Sequence, residues 1–401
     1  MIYSRAKGLE RSVINSSKSF SRWWLAALAA LVAGSLMLLA MAPAPFIWIF
    51  VLWGTVICLF GYVHRHETIG VLIFNLGFLF LGVAAIEAFL EIAARARPAS
   101  GYVKTYAIRY HTPHPYLGTR PRANVVETGA AHRKDELLYE VEYTIGVNGL
   151  RLAPPDKGSN IIGCVLFFGG SFVYGEGVED DQTLPYLTGM RTEGNYRVYN
   201  FGFHAYGPNH MLAALQHGLV AETIDCNPTH VIYLGIPDHV ARVAGVGLWD
   251  HYGPHYVADG KQLTFTGLRD SDPNPSVLIR EVRWQLRKSK IASIWLNYKR
   301  PADITDIDLY VTVVEQARDH VQSAYREAEF HVLFWDWSDD EIAVKVRERL
   351  LSDGHDPHLV TDIIKTYQGS PSELVIPHDG HPSAAMHAHL ADYVVENILD
   401  R

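Results

Sequence analysis

Three long apolar stretches, residues 23–42, 45–63 and 69–90, follow one another near the start of the chain with almost no charge inside them. A helix needs about 20 apolar residues to cross about 30 Å of hydrocarbon, and each stretch comes close to that length. The separators are short: Pro43 and Pro45 interrupt the first boundary, His64-Arg65-His66-Glu67 the second. Buried core helices would satisfy the same composition, but three in a row favour membrane-spanning helices. Everything after them must then fold on one side of a bilayer.

Basic residues indicate which side. Arg5, Lys7, Arg11, Lys18 and Arg22, against the single Glu10, hold the N-terminus in the cytoplasm. Three crossings then deliver residue 98 onward to the outside, and Arg95 and Arg97 are too few to reverse this. Ala40-Met41-Ala42 resembles a signal-peptide cleavage site, but Pro43 opposes cleavage, and a cleaved chain would leave the remainder outside as well. The expected location is the cytoplasmic (inner) membrane, multi-pass, with the C-terminal part extracytoplasmic or periplasmic. Glu87 and Glu91 share one helical face near the outer end of the third span, where water at the interface is their expected surrounding.

The chain has 401 residues, enough for two or three units. Its net charge of −8 excludes a general nucleic-acid binder. The three cysteines lack metal-ligand spacing. A Cys164–Cys226 disulfide is conceivable in an oxidising compartment, although nothing in the sequence fixes their distance. The 20 histidines are scattered and read as ordinary surface or core residues.

Three segments are expected: the membrane region 1–97, a β-rich connection 98–160, and a catalytic domain 161–401. In the connection, residues 137–145 alternate apolar and polar, and Asn148-Gly149 is a strong turn signal. From residue 161 short apolar strands (161–168, 196–201, 230–234, 330–335 and a weaker 374–376) alternate with helical segments (183–190, 208–223, 307–326 and 339–351). That pattern predicts an α/β fold, a parallel sheet covered on both faces, with function at the carboxyl ends of its strands.

Two motifs fall at such ends. Gly169-Gly170-Ser171-Phe172 follows the first core strand. Its glycines allow a sharp turn that projects Ser171 with its amide exposed, next to a helix N-terminus suited to a developing oxyanion. A plain glycine turn with a capping serine remains open for this tetrapeptide alone. It is neither a phosphate loop nor the Gly-x-Ser-x-Gly elbow, because Val173 stands where the last glycine would be. Asp379-Gly380-His381-Pro382 precedes a final helix, 384–399. In extended backbone residues i and i+2 project to one side, so Asp379 can orient the His381 imidazole.

Together the motifs resemble the SGNH/GDSL hydrolase superfamily. Residues 168–178 (Phe-Gly-Gly-Ser-Phe-Val-Tyr-Gly-Glu-Gly-Val), followed by Asp180-Asp181 and Pro185-Tyr186, look like its first block, in a bacterial membrane-anchored subgroup with Gly-Gly-Ser-Phe in place of Gly-Asp-Ser. Asn200-Phe201-Gly202 with Tyr206-Gly207-Pro208 is similar to the second block, and Asp379 and His381 match the last. The resemblance spans roughly residues 160–400 and implies a three-layer α/β/α, flavodoxin-like sandwich. It implies a Ser171–His381–Asp379 triad, oxyanion donors at the amides of Ser171 and Gly202, and no cofactor or metal.

The third block departs from the pattern. Pro237 stands where an asparagine donor is expected and has neither a side-chain nor an amide donor. One lost oxyanion donor is worth about 2.7–4 kcal/mol in a comparable hydrolase. His239 is the candidate replacement, and Asp238 and Tyr206 are candidate substrate contacts. His204 and His210 border the second block but are expected at the surface, as are His387 and His389 in the last helix. The Trp249–His255 run matches no zinc spacing, though its aromatics suit a cleft floor.

Three functions fit these residues. The first is an esterase acting on an acylated glycan, lipid or small molecule. The second is an O-acyltransferase of an envelope polysaccharide, which needs a membrane partner protein because this anchor is too small to import acyl groups. The third is a binding module that keeps the fold without catalysis. Specificity is expected in residues 202–210 and 240–266.

Overall fold

A computed structural model of the chain describes residues 28–42, 44–96, 102–106, 111–155, 161–247, 252–260, 262–269, 282, 285–286, 288–296, 300–337 and 340–400. It divides into two compact units: Met1–Pro98 with Pro273–Tyr298, and Ala99–Asp272 with Lys299–Arg401.

The first unit is helical. It holds α1 (Leu28–Met41), α2 (Pro45–Val63) and α3 (Thr68–Ala96). Only α2 and α3 among the described residues are long and apolar enough to cross a membrane. The first expected stretch appears as the shorter α1; its residues 23–27 and the basic residues before them lie outside the described residues. The third runs six residues past the expected end, to Ala96, because helical backbone persists through the more polar residues 91–96 after the apolar content fades. Helices α2 and α3 meet through small residues. A Cβ on Gly61 would lie 2.4 Å from the Phe74 amide nitrogen, and one on Gly77 would lie 2.6 Å from that of Cys58. Such close backbone approach is the usual way apolar helices pack in lipid, where burying more hydrocarbon gains nothing.

Glu87 corrects an expectation. It is 2% exposed, and its carboxylate accepts hydrogen bonds from the Ser289 hydroxyl (3.1 Å), the Ile291 amide (3.0 Å) and the Lys290 amide. These donors lie at the start of the helix Lys290–Leu296, so backbone that needs acceptors and a carboxylate that needs donors satisfy each other. Glu91 pairs with Arg95 (2.9 Å) and Lys290 (3.5 Å).

The second unit opens with two small antiparallel sheets. Strands β1 (Tyr102–Tyr106), β4 (Val125–Arg133) and β5 (Glu136–Ile145) form one, in the order β1-β4-β5. Strands β2 (His111–His114) and β3 (Gly118–Pro121) form the other. The alternation noted at 137–145 is β5, whose inward side chains Tyr139, Val141, Tyr143 and Ile145 are buried. Past it, Gly149 takes φ +75° in the turn that returns the chain to Arg151.

The main sheet is five-stranded and parallel, in the order β12-β11-β8-β6-β7. Its strands are β6 (Gly163–Gly169), β7 (Tyr196–Asn200), β8 (Pro228–Gly235), β11 (Glu329–Phe334) and β12 (His358–Leu359), while β9 (Pro254–Asp259) and β10 (Gln262–Leu268) form a separate hairpin. Alternate residues of β6 feed two cores. Leu166 and Phe168 join a core with helices Pro208–Gln216 and Ile304–Ala324; Val165 and Phe167 join one with Leu184–Arg191 and Ala384–Val394. Helices therefore cover both faces of the sheet.

Local details differ from expectation. Residues 374–376 make no strand; Pro371–Leu374 is a 3-10 turn, and the fifth strand is the two-residue β12, too short to carry a pattern. The expected helix 208–223 breaks where Gly218 turns left-handed at φ +73°. Cys164 and Cys226 are joined as a disulfide, Cα atoms 6.1 Å apart, because β6 and the entry to β8 run side by side.

Candidate active site

Ser171 begins a four-residue helix, Ser171–Tyr174, at the carboxyl end of β6. As its first residue it has an amide with no intrahelical acceptor. Gly170 must lack a side chain here: a Cβ would stand 2.8 Å from Arg242 Nη1, 2.9 Å from the Tyr206 carbonyl and 3.1 Å from His239 Nε2.

His381 arrives from the opposite end of the chain. The Ser171 hydroxyl and His381 Nε2 are 2.8 Å apart, and His381 Nδ1 is hydrogen-bonded to Asp379. The His381 amide also donates to Asp379 Oδ1 at 3.1 Å, which fixes the loop that carries both residues. Gly380, at φ +86°, allows the tight turn between them. Ser171, His381 and Asp379 thus stand in a hydrogen-bonded line, an arrangement that can activate a serine hydroxyl.

A second carboxylate stands beside this line. Glu176, 4% exposed, pairs with Lys104 and with His204 Nδ1 (2.6 Å), and its Oε2 lies 3.6 Å from His381 Nε2. Lys104 reaches on to Asp379 Oδ2 at 3.1 Å. Burial alone would raise the Glu176 pKa, but His204, His381 and Lys104 together hold it well below the usual carboxylate range. Sequence reasoning included Glu176 in the first block without a role, missed Lys104, and expected His204 at the surface. The spacing Ser171-x4-Glu176 gave no cue, since the intervening Gly175 at φ +85° turns the side chain back.

Arg151 holds that turn in place. Its buried guanidinium donates to the carbonyls of Tyr174 (2.8 Å), Gly175 (2.5 Å) and Val178 (2.7 Å) and to Asp180 (2.8 Å). A charged group with so many acceptors is one a folded protein can bury.

The remaining expected residues fare differently. The Gly202 amide, expected in the oxyanion hole, donates to Asn200 Oδ1 at 3.0 Å. His239 is fully buried beside Gly170. Its Nδ1 receives the Ile236 amide (3.4 Å) and lies 2.7 Å from the Tyr233 hydroxyl, so the ring proton belongs on Nε2, which has no acceptor. Burial, with Arg242 and His210 nearby, keeps this imidazole neutral. Tyr206 donates its hydroxyl to the Thr119 carbonyl (2.6 Å) and walls a cavity of about 90 Å³ that Gly169, Gly202 and Phe203 also line. Asp238 is exposed at the start of helix Asp238–Ala244, and no hydrogen bond joins it to the triad among the described residues.

Two histidines expected at the surface are buried. His210 accepts the Gly207 amide at 3.2 Å, and His387 accepts the Leu184 amide at 3.0 Å. Burial and the nearby Arg151 and His381 lower the His387 pKa to about 3. Much of the aromatic run 249–255 lies outside the described residues.

No protein-family model and no curated protein matches the chain. Solved structures do. A lipolytic protein of the G-D-S-L family from Desulfitobacterium hafniense is 12% identical, with a TM-score of 0.35, covering 58% of this chain and 98% of its own. A GDSL-like lipase from Parabacteroides merdae is 11% identical, with a TM-score of 0.33, over 60% and 98%. A catalytic mutant of an acetylxylan esterase from Geobacillus stearothermophilus is 14% identical, with a TM-score of 0.32, over 61% and 96%. The first two carry the GDSL name of the superfamily that the sequence blocks resemble. At such scores the likeness carries no argument about chemistry, which rests on the side chains themselves.

Proposed function

We propose that the chain is a serine esterase of SGNH/GDSL type, held by three N-terminal crossings with its catalytic unit outside the cytoplasmic membrane. One observation carries the reading: Ser171 Oγ lies 2.8 Å from a His381 whose other nitrogen is bonded to Asp379.

Ser171 attacks the carbonyl carbon of an ester while His381 Nε2 takes the hydroxyl proton. The tetrahedral oxyanion is held by the Ser171 amide. His239 Nε2–H, the candidate substitute for the asparagine that Pro237 replaces, is buried behind Gly170 and donates to a substrate oxygen only if that loop shifts. Gly202 contributes only by sharing the hydrogen it gives Asn200. His381 returns its proton to the leaving alcohol, and the acyl group stays on Ser171 Oγ. Water, deprotonated by His381, then releases the carboxylic acid. The Asp379 and Glu176 carboxylates stabilise the transient imidazolium from two sides, and Lys104 keeps both in position.

The substrate class is an O-acyl ester of an envelope glycan, lipid or small molecule, with Tyr206 and the cleft beside Gly202 receiving part of it. The full chain in detergent should hydrolyse p-nitrophenyl acetate, and Ser171→Ala should abolish turnover. Folded protein that turns over no ester would remove the free-standing esterase reading.

A further inference from the structure

The far end of the main sheet carries a cluster that the triad does not use. β8 and β11 are parallel neighbours, and their register sets His230 directly opposite Glu329. His331 follows Glu329 by two residues, so the pleat puts all three on one face, at the amino ends of the strands and away from Ser171. One ligand atom from each lies within 4.8 Å of the others, and His331 Nε2 is 3.3 Å from Glu329 Oε2.

Hydrogen bonds around the cluster leave the ring nitrogens turned the right way. Thr229 has one hydroxyl hydrogen and gives it to the Cys164 carbonyl at 3.1 Å. Its oxygen therefore accepts from His230 Nδ1, also 3.1 Å away, and the lone pair of His230 is left on Nε2. His331 Nδ1 is engaged by His358 Nε2 at 3.4 Å, while His331 Nε2 faces the Glu329 carboxylate across the cluster. A ring held through one nitrogen with the other turned into the cluster is how proteins present imidazole to a metal. An open cavity bordered by Glu329, His331, His355 and Asp356 lies alongside, with room for water to complete a coordination shell.

We propose that His230, Glu329 and His331 bind one divalent transition metal ion of the zinc, cobalt or nickel type. Two imidazoles and one carboxylate suit these ions and not magnesium or calcium, which prefer all-oxygen sites. Bound there, the ion ties β8 to β11 at the end of the sheet opposite the catalytic serine, so its effect is on stability and not on the acyl-transfer step. The proposal stands whether or not the esterase reading does.

The test uses full-length protein purified in detergent without a polyhistidine tag, stripped with a chelator and titrated with cobalt(II). The expected result is one equivalent bound, visible as a d–d absorption band, with a raised melting temperature. Glu329→Gln and His230→Gln, each shown to be folded by thermal melting, should weaken binding at least tenfold, while Glu176→Gln should leave it unchanged. No band at millimolar cobalt in folded protein overturns the proposal. So does a band that survives Glu329→Gln and His230→Gln, or one lost in Glu176→Gln, which would put the ion among Glu176, Asp379 and His381.

Discussion

Among the described residues two glutamates are buried, one in each unit, and they are satisfied by opposite means. Glu87, in an apolar helix, receives neutral donors among the described residues: two backbone amides and a serine hydroxyl. Glu176 receives Lys104 and His204 and faces His381. Neutral donors fix a carboxylate in place and cap a helix. Titratable partners create a field beside a histidine whose own charge changes during reaction. Burial alone therefore marks neither as functional; the chemistry of the partners separates a structural carboxylate from one at a working site.

The largest effect should come from breaking the active side of this comparison at its centre. Ser171→Ala or His381→Ala is expected to cost about 10⁴–10⁶ in esterase rate, read by steady-state kinetics, with the melting temperature little changed. Glu87→Gln should do the reverse. Its single NH2 would face either the Lys290 or the Ile291 amide, costing about 1–3 kcal/mol in the helical unit with catalytic constants unaltered. Thermal unfolding in detergent alongside the esterase assay checks both halves.

Acid should separate the two kinds of buried group. The His387 pKa falls to about 3, so the unfolded chain binds its proton first as pH drops below about 6.5. Stability is then lost steadily on the way down, by about 2 kcal/mol between pH 7 and 5 for this group alone. Glu176 has the opposite sign of charge. Its depressed pKa contributes stability that is complete above the ordinary carboxylate pKa of about 4.3 and is lost only below it. Denaturant midpoints at pH 7, 5 and 4 should show the histidine loss before the carboxylate loss.

The smallest effect is the most specific. Glu176→Gln removes a negative charge beside His381, so the acid limb of kcat/KM should move to lower pH by up to about one unit, with a rate loss near tenfold. A purely structural Glu176 would lower stability and leave that limb where it was.

Much of this was legible in the chain. The strands at Ile232, Phe167 and Leu333 are continuous apolar runs, and a parallel sheet buried on both faces demands them. Ser171 and Asp379-Gly380-His381 were visible because each sits in a short motif at a strand or loop end. Glu176, Lys104 and Arg151 were not, because their roles come from contacts between residues 72 apart or between a loop and a side chain 23 residues ahead of it. His387 and His210 were misplaced for a related reason: one backbone amide from elsewhere in the fold is enough to bury a neutral imidazole. The β8–β11 register that gathers His230, Glu329 and His331 has no local signal at all.

The central claim is that Ser171 is an activated nucleophile. Full-length protein in detergent, treated with a fluorophosphonate and mapped by peptide mass spectrometry, tests it most directly. The account predicts a single modification on Ser171 that is absent from His381→Ala. Folded wild-type protein that stays unlabelled, or that labels equally well without His381, would contradict it.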